Sequence, residues 1–192
     1  RILKEENKSQ KNVSSVEMTL NIVQSTSPSI ELVDLPGIQA FNTEGDVSRD
    51  AITNLVKQYA SNPNSLILCF WKVLNDIQNN SSMVPVVGAD PNGSRTIYVM
   101  TYGDTISANA SCEYNRDLFA QRKQDLLENN IGSSGIPNRG SILTACGLKH
   151  QNRAGNIDNQ YQDGQLAEKA FFDDPQNGWS DDETRKYCGT NN

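Results

Sequence analysis

The stretch of sequence that decides the fold lies at residues 65–71 and reads Ser-Leu-Ile-Leu-Cys-Phe-Trp. It is an almost continuous apolar run, much shorter than a membrane span requires. A run of this length and composition is typical of a parallel β-strand that is buried on both faces of a sheet. Residues 96–100, Thr-Ile-Tyr-Val-Met, form a second run of the same kind. Together the two runs predict a mainly parallel sheet.

Helical patterns surround these two runs. In residues 47–60, apolar side chains recur at helical spacing, which predicts an amphipathic helix, and Asn62-Pro63-Asn64 ends it. Weaker patterns predict helices at residues 115–129, 164–172 and 181–187 and strands at residues 18–23, 30–33 and 141–148. Apolar strands that alternate with helices predict an α/β fold of three layers, with a mostly parallel sheet and helices on both faces.

Three regions are predicted to differ from this alternation of parallel strands and helices. The strands at residues 18–23 and 30–33 are separated by turn residues, which predicts an antiparallel pair. Residues 72–87 read poorly as a helix because they contain Asn-Asn-Ser-Ser and Pro85. Residues 131–140 are rich in Gly and are predicted to form a loop.

The charge balance is acidic, with 23 acidic against 17 basic residues and a net charge of −6. A protein that binds nucleic-acid backbones needs a basic face, so we predict no nucleic-acid partner. A nucleotide pocket is not excluded, because backbone N–H groups can hold phosphate without net positive charge. The four cysteines lie far apart in the sequence and there is one histidine, so their spacing predicts no zinc site.

The first motif with chemical meaning is Asp34-Leu35-Pro36-Gly37, which follows the predicted strand at residues 30–33. An Asp at a strand end can hold Mg²⁺ through water, since Mg²⁺ prefers carboxylate, several waters and substrate phosphate. Gly37 lacks a Cβ, so its backbone N–H can approach a terminal phosphate. The alternative is an ordinary turn after a strand, where Asp, Pro and Gly are all common.

The second motif follows the strand at residues 96–100 and consists of Thr101 and Asp104. A carboxylate fixed at the carboxyl edge of a sheet can accept two N–H bonds from guanine, and adenine cannot supply that pair. The alternative for Asp104 is a solvated carboxylate on a loop. The sequence predicts that Asp34 and Asp104 end neighbouring strands and face one cleft.

Other conspicuous residues have simpler interpretations. Trp71 and Trp179 are interpreted as packing aromatics rather than a ligand-stacking pair. The acidic groups at residues 173–174 and 181–183 are interpreted as helix N-termini rather than a divalent-ion cluster, because carboxylates are stabilised there.

Taken together, these segments resemble the GTPase domain of the dynamin superfamily. The resemblance rests on segments that occur in the order expected for that family: residues 11–23, 32–37, 62–68, 90–97, 152–153, 168–172 and 188–192. It implies that residues 1–192 are a partial dynamin-type GTPase domain, with a P-loop GTPase-like fold that is incomplete at the N-terminus.

The resemblance implies a Mg²⁺-dependent GTPase that self-associates through this domain and remodels membranes in fission, fusion or organelle division. The implied partners are guanine nucleotide and, through the parent protein, membranes and microtubules. We therefore expect a cytoplasmic protein that associates peripherally with membranes.

The resemblance also assigns six residues to the nucleotide. They are Asp34 for Mg²⁺ through water, Gly37 for the γ-phosphate, Thr101 and Asp104 for the guanine pocket, and Asn152 and Arg153 for the base and ribose.

The sequence departs from the family at several of these sites. It contains no Gly-x-x-x-x-Gly-Lys-Ser/Thr phosphate loop, Tyr102 stands where the family has Lys, and Ala154-Gly155 replaces Ser-Gln. Two explanations stay open: a truncated domain whose first third lies outside this sequence, which the absent initiator Met favours, or a decayed copy. In either case we expect no detectable turnover by this chain alone. The alternative function is a non-catalytic interaction module that keeps the sheet and a dimerising surface.

Overall fold

The structure is a computed structural model. It describes residues 18–21, 23, 25, 29–38, 48–128, 130–131, 136–145 and 157–189. The helices are α1 (Ser48–Ala60), α2 (Met83–Ala89), α3 (Glu113–Glu128) and α4 (Ile157–Asp173). The strands are β1 (Ile67–Lys72), β2 (Thr96–Thr101), β3 (Asn130–Ile131), β4 (Ile136–Pro137) and β5 (Gly140–Leu143). Short 3₁₀ turns lie at Ile77–Asn79, Gly103–Thr105, Pro175–Asn177 and Arg185–Tyr187.

The main sheet has three parallel strands in the order β1-β2-β5. Each parallel connection contains a helix, α2 between β1 and β2 and α3 between β2 and β5, because parallel neighbours need a crossover. Beyond β5, Cys188 forms a parallel bridge with Leu143. The predicted α/β class with a mainly parallel sheet is confirmed, as are α1, β1 and β2 within two residues at each end.

One face of the sheet carries the hydrophobic core. Because side chains alternate along a strand, Cys69, Tyr98 and Met100 point to the same side, and all three are buried. This face packs against α2, α3 and the last turns of α4 through a set of apolar side chains: Met83, Val86, Leu118, Phe119, Leu126 and Phe172.

Both tryptophans belong to this core. Trp71 meets the Tyr98 ring edge-on at 6.3 Å between centroids, and Trp179 meets Phe119 edge-on at 4.5 Å. Their exposed fractions are 4% and 0%. The interpretation of both residues as packing aromatics is therefore confirmed.

The opposite face of the sheet is more open. Leu68, Phe70 and Ile142 are exposed there, whereas Val99 on the central strand is buried. In the sheet that the structure describes, β1 is an edge strand, so both its outer side and this face are accessible.

The amino ends of β1 and β2 are held by Arg95. Its guanidinium donates hydrogen bonds to the carbonyl oxygens of Ala60 at the end of α1, Asn62 and Ser65 in the following loop, and Ala89 at the end of α2, at 2.9–3.1 Å. These bonds satisfy carbonyl oxygens at two helix ends and in the loop after α1. The carbonyl oxygen of Asn62 also accepts from the Ser65 N–H. The segments at residues 62–68 and 90–97 therefore meet in space.

Asp90 completes this group. Its carboxylate accepts hydrogen bonds from the backbone N–H of Arg95 at 2.9 Å, the Thr96 hydroxyl at 2.7 Å and the Ser94 hydroxyl at 3.2 Å. Burial alone would raise the pKa of Asp90, but these bonds outweigh it and lower the pKa. We call Asp90 and Arg95 the amino-end hub. It lies at the edge of the sheet opposite the strand ends where ligands bind.

The predicted strands at residues 18–23 and 30–33 are wrong. The described residues of both segments belong to no strand, and Leu20, Val23, Ile30 and Leu32 are exposed by 68–97%. Their alternation fits a strand, but a strand also needs a hydrogen-bonded neighbour and a buried face to offset the entropy of ordering it.

Several boundaries differ from the predictions. The predicted helix at residues 181–187 is only the 3₁₀ turn Arg185–Tyr187, and the strand predicted at residues 141–148 ends at Leu143. The predicted loop at residues 131–140 includes the short antiparallel pair of β3 and β4. Helix α4 begins at Ile157 and runs through Gly164, where the sequence suggested its start.

Helix α2 forms where the sequence read poorly as one. It has seven residues and contains Pro85 in its first turn. Proline is tolerated there because the first N–H groups of a helix have no intrahelical partner. Within the described ranges, no helix is both long enough and apolar enough to cross a membrane.

Candidate functional site

The carboxyl ends of the three parallel strands meet at one edge of the sheet. β1 ends at Lys72, β2 at Thr101 and β5 at Leu143. In open α/β sheets, ligands bind outside this edge, in the loops that follow the strands. The candidate site is therefore the set of loops that leave these three strands.

The loop after β2 is fixed by backbone contacts to both neighbouring strands. The Thr101 hydroxyl donates to the carbonyl oxygen of Trp71 at 3.1 Å, and the Gly103 N–H donates to the carbonyl oxygen of Thr144 at 2.8 Å. The Thr105 hydroxyl donates to the carbonyl oxygen of Tyr102 at 2.6 Å. Thr101 thus holds the turn against β1. We call residues 101–105 the β2 turn.

Gly103 is required by packing rather than by backbone conformation. A Cβ on this residue would lie 2.9 Å from Leu143 Cγ and 3.1 Å from the carbonyl oxygen of Thr144. The β2 turn can therefore approach the end of β5 only with a glycine at this position. The sequence alone gave no sign of this contact, because it joins residues that are distant in the chain.

Tyr102 lies in the left-handed region of backbone conformation, with φ 62° and ψ 38°. Among the described residues it is the one non-glycine residue with a positive φ. Its side chain is 39% exposed, and the Lys72 ammonium lies 5.4 Å from the centre of its ring. Strained backbone of this kind concentrates at functional sites.

Asp104 lies on the same turn, two residues after Tyr102, and is partly buried. The structure therefore brings Thr101 and Asp104 together at the carboxyl edge of the sheet, where the sequence placed them. Their roles toward a base stay predictions.

The loop after β1 is held by Arg122 from α3. Its guanidinium donates to the carbonyl oxygens of Val73 at 3.1 Å and Asn75 at 3.0 Å, and it pairs with Asp125 at 2.9 Å. It also lies over the Trp71 ring, 5.3 Å from the centroid. These buried contacts fix the chain just after Lys72. Sequence reasoning missed Arg122, since nothing in the helical pattern marks it as different from the other polar residues of α3.

The end of β5 is held by Glu168 from α4. Its carboxylate accepts a hydrogen bond from the Ala145 N–H at 2.8 Å. Each of the three strand ends is thus fixed by at least one long-range contact. The loop that follows β5 leads into residues 146–156, which lie outside the described residues together with Asn152 and Arg153.

Asp34 and Gly37 lie on an exposed segment, residues 29–38, that belongs to no helix or strand. Asp34 is exposed, and a Cβ added at Gly37 would meet nothing within 4 Å. The prediction that Asp34 ends a strand next to the one bearing Asp104 is therefore wrong. The physical reason is that residues 30–33 pair with no strand in the part of the chain that the structure describes.

Asp34 is the single Mg²⁺ ligand that the sequence predicts among the described residues. In the part of the chain that the structure describes, no three or more His, Cys, Asp or Glu side chains group as a metal site. Mg²⁺ needs only one or two carboxylates when waters and phosphates complete its shell, so Asp34 fits such a role chemically.

Two cysteines, Cys69 and Cys188, are buried in the core. Burial raises the pKa of the Cys69 thiol to about 12 and that of the Cys188 thiol to about 12. Both stay protonated at neutral pH, and the thiolate is the form that ligates metals and attacks substrates. They act as small core residues.

The acidic groups near the C-terminus act as caps and ion-pair partners. The Asp174 side chain accepts a hydrogen bond from the Gln176 N–H at the start of a 3₁₀ turn, and Asp181 accepts one from the Thr184 N–H. Asp173 pairs with Lys169 and Arg185. The interpretation as helix N-termini holds for Asp174, which caps the 3₁₀ turn Pro175–Asn177. It is wrong for Asp173, which ends α4, and for Asp181, which precedes the Thr184 cap of the last 3₁₀ turn.

The sequence profile of the Dynamin family matches residues 1–102 of this chain, more than half of its 192 residues. The chain belongs to the dynamin family. The matched range contains β1, α2 and β2 and ends inside the β2 turn. The predicted resemblance is confirmed.

Curated relatives agree with the profile. The chain is 30% identical over 135 residues to Dynamin-1-like protein of Danio rerio, which covers 69% of this chain and 18% of that protein. It is 33% identical over 101 residues to Dynamin-like GTPase OPA1, mitochondrial, of Homo sapiens, 52% of this chain and 10% of that protein. It is 29% identical over 132 residues to Dynamin-related protein DNM1 of Saccharomyces cerevisiae, an alignment that covers 67% of this chain and 16% of that protein. The matched part is less than a fifth of each relative.

Proposed function

We propose that this chain is the guanine-binding part of a dynamin-type GTPase whose parent protein hydrolyses GTP during membrane remodelling. The observation that carries the proposal is the β2 turn, which holds Thr101 and Asp104 at the ligand-binding edge of a parallel sheet. Family membership supports the choice of guanine nucleotide.

In this proposal the chain's residues position the nucleotide. Asp104 accepts the two N–H groups of guanine, and Thr101 fixes the turn that carries Asp104. Asp34 holds Mg²⁺ through water, the Gly37 N–H donates to the γ-phosphate, and Asn152 and Arg153 flank the base and ribose. The Mg²⁺ ion would supply neutralisation of phosphate charge. Hydrolysis then depends on placing an in-line water and stabilising the developing charge.

Turnover belongs to the parent protein in this proposal. Residues 1–192 contain no phosphate loop, so they supply neither its lysine nor its Mg²⁺-binding hydroxyl. We expect the isolated chain to release no phosphate from GTP. Self-association, peripheral membrane attachment in the cytoplasm and contact with microtubules are further parts of this proposal that concern the parent protein.

A non-catalytic interaction module is the second candidate. One observation favours it: Leu68, Phe70 and Ile142 form exposed apolar positions on the open face of the sheet. Contiguous exposed apolar surface marks interaction sites in soluble proteins. In this case the change of the family's Lys to Tyr102 and the absence of a phosphate loop from residues 1–192 would reflect the loss of GTP binding and hydrolysis.

The test uses nucleosides, because they contain the base without the phosphates. Guanosine should bind the chain with a dissociation constant on the order of millimolar, as expected for a small ligand held by few contacts. Adenosine should not bind measurably. Isothermal titration with GTP and Mg²⁺ should show no micromolar affinity, and micromolar binding would disprove the inactivity of the isolated chain.

A substitution sharpens the test. Xanthine keeps one N–H of guanine but presents a carbonyl oxygen where guanine has its amino group, and an Asn side chain offers the matching acceptor and donor. Asp104→Asn should therefore lose guanosine binding and gain xanthosine binding. Asp182→Asn, an exposed carboxylate elsewhere in the chain, is the matched control and should leave guanosine binding unchanged. Unaltered selectivity of Asp104→Asn would exclude Asp104 from base recognition.

A further inference from the structure

The sequence contains two Asn-Gly dipeptides, at residues 92–93 and 177–178. Asparagine followed by glycine is the dipeptide most prone to spontaneous deamidation, because glycine has no side chain that keeps the asparagine carboxamide away from its backbone nitrogen. In a folded chain, the surroundings of each asparagine decide whether these two groups can meet.

The two dipeptides have closely similar backbones. In each, the glycine N–H donates to a carbonyl oxygen three residues before it, Gly93 to Asp90 at 3.0 Å and Gly178 to Pro175 at 3.1 Å. Both glycines are left-handed, with φ 61° and 80°. A difference in reactivity between the two sites therefore comes from what surrounds the side chains.

The side chain of Asn177 is held in place. Its amide nitrogen donates to the carbonyl oxygen of Phe171 at 3.0 Å. The glycine after it is closely packed, since a Cβ on Gly178 would lie 2.6 Å from Ala108 Cβ and 2.7 Å from Phe119 Cζ. The Asn177 carboxamide must break its hydrogen bond and turn within this packing before it can reach the Gly178 nitrogen.

Asn92 has no such restraint on its movement. It is exposed and lies in the loop of residues 90–95, which joins α2 to β2. Because its carboxamide is in contact with water, rotation toward the Gly93 nitrogen requires no rearrangement of the core. The same loop carries both members of the amino-end hub, Asp90 and Arg95.

We propose that Asn92 is a site of spontaneous deamidation and that the product loosens the amino-end hub. The Gly93 nitrogen loses its proton and bonds to Asn92 Cγ, and the bond from Cγ to the side-chain nitrogen breaks, which releases ammonia. Water then cleaves either C–N bond of the resulting succinimide ring. One cleavage gives aspartate at position 92, and the other gives isoaspartate, in which the main chain runs through Cγ.

Isoaspartate adds one carbon atom to the main chain between Asp90 and Ser94. The loop cannot pass this extra length to its neighbours, because Asp90 directly follows α2 and Arg95 directly precedes β2. The Asp90 carboxylate accepts from the Ser94 hydroxyl and the backbone N–H of Arg95 across this loop. The lengthened loop displaces these donors, and a buried carboxylate that loses donors destabilises the fold.

The first part of the experiment measures the reaction in the full 192-residue chain, incubated at mildly alkaline pH. Peptide mapping follows both asparagines, and enzymatic methylation detects isoaspartate. In the folded chain, Asn92 should convert at least about tenfold faster than Asn177, and isoaspartate should form at position 92. In urea, where neither site keeps its surroundings, the two rates should agree within about twofold. Equal rates in the folded chain, or faster conversion of Asn177, would overturn the proposed site.

The second part measures stability by urea denaturation. The isoaspartate form, separated by ion exchange, should unfold at a urea concentration about 0.5–1 M below that of the fresh chain. Asn92→Ser is the matched control, because serine is common in turns and has no carboxamide, and its midpoint should survive incubation. Fresh Asn92→Asp adds the charge without the longer main chain and should unfold close to the wild type.

Three results would contradict the effect on the hub. The first is an isoaspartate form that keeps the midpoint of the fresh chain. The second is an equal fall in incubated Asn92→Ser, which would place the damage elsewhere. The third is an equal fall in fresh Asn92→Asp, which would make the charge the cause. None of these measurements involves a nucleotide, so the proposal stands or fails independently of the base site.

Discussion

The two ends of β1 and β2 differ sharply although the same strands build both. At the amino end, Arg95 donates to four carbonyl oxygens and the buried Asp90 carboxylate accepts from three groups. At the carboxyl end, Tyr102 is strained and exposed, and Lys72 lies over its ring. One end of the strands is held by a dense set of hydrogen bonds, and the other carries a strained residue at the proposed base site.

The difference follows from what each end connects. The amino-end hub joins α1, α2 and both strands, so each hydrogen bond removes freedom from two chain segments. The β2 turn is hydrogen-bonded to the ends of β1 and β5. The side chains of Tyr102 and Asp104 therefore start from a backbone of fixed position. Variants at the two ends should therefore differ in whether stability or binding changes.

The largest effect is expected from Arg95→Met. It removes a donor from four carbonyl oxygens, of which that of Asn62 keeps the Ser65 N–H, and leaves the buried Asp90 carboxylate without its nearby cation. We expect a loss of about 3–5 kcal/mol in the free energy of unfolding, measured by urea denaturation. The control is Arg116→Met, an exposed arginine that also donates to two carbonyl oxygens, with an expected loss below about 1 kcal/mol. Similar losses of unfolding free energy in both variants would show that Arg95 stabilises the fold no more than an exposed arginine does.

Gly103→Ala should have the next largest effect. The added methyl group would press on Leu143 and on the backbone of Thr144, and overpacking of this kind costs about 1–3 kcal/mol. Gly88→Ala in α2 is the control, because a Cβ there meets nothing within 4 Å. Alanine is the better helix former, so this control should gain about 0.5–1 kcal/mol. A lower melting temperature for Gly103→Ala and a higher one for Gly88→Ala would support the close packing of the β2 turn on β5.

Tyr102→Gly should stabilise the protein. Relief of the left-handed strain outweighs the greater freedom of glycine in the unfolded chain, for a net gain of about 0.5–1 kcal/mol. Tyr114→Gly, at an exposed position of α3, should instead lose about 1 kcal/mol, because glycine is unfavourable within a helix. A destabilised Tyr102→Gly would mean that the ring contributes more to folding than its exposure indicates.

The smallest effect concerns pH. Burial would raise the pKa of Asp181, but hydrogen bonds from Lys123 and Thr184 outweigh it and lower the pKa to about 2. Because the pKa of the folded state lies below that of the unfolded state, the stabilisation is present at neutral pH and is lost as the pH falls from about 4 to 2.

The size of this effect is below about 1 kcal/mol, since the side chains of Lys123 and Asp181 are 31% and 40% exposed. Asp181→Asn should be less stable than the wild type at pH 6, and the two should converge near pH 2 in urea denaturation. Lys123→Met should show the same convergence, since it removes the other partner. A difference that stays constant over this pH range would argue against the ion pair as the cause.

The strands and helices that sequence predicted well are those with strong local patterns. The apolar runs that became β1 and β2 and the spaced apolar positions of α1 are strong local signals, and β1 and β2 also supply each other with a hydrogen-bonded neighbour. The strands predicted at residues 18–23 and 30–33 failed because alternation alone does not supply a hydrogen-bonded neighbour. The β2 turn was placed correctly because a polar motif directly follows a buried strand.

Other parts of the site depend on contacts that no local pattern reveals. Arg122 reaches the loop after β1 from α3, and Gly103 is required by the approach of β5. The left-handed backbone of Tyr102 had no sequence signal, because left-handed residues are usually Gly or Asn. The cation over its ring comes from the neighbouring strand.

The most direct test of the proposed base site is a map of amide chemical shifts in the ¹⁵N-labelled chain as GMP or AMP is added. GMP should shift the amides of residues 101–105 in a saturable manner, and AMP at the same concentration should leave them in place. Equal shifts with both nucleotides, or GMP shifts confined to other parts of the chain, would show that the β2 turn does not recognise guanine.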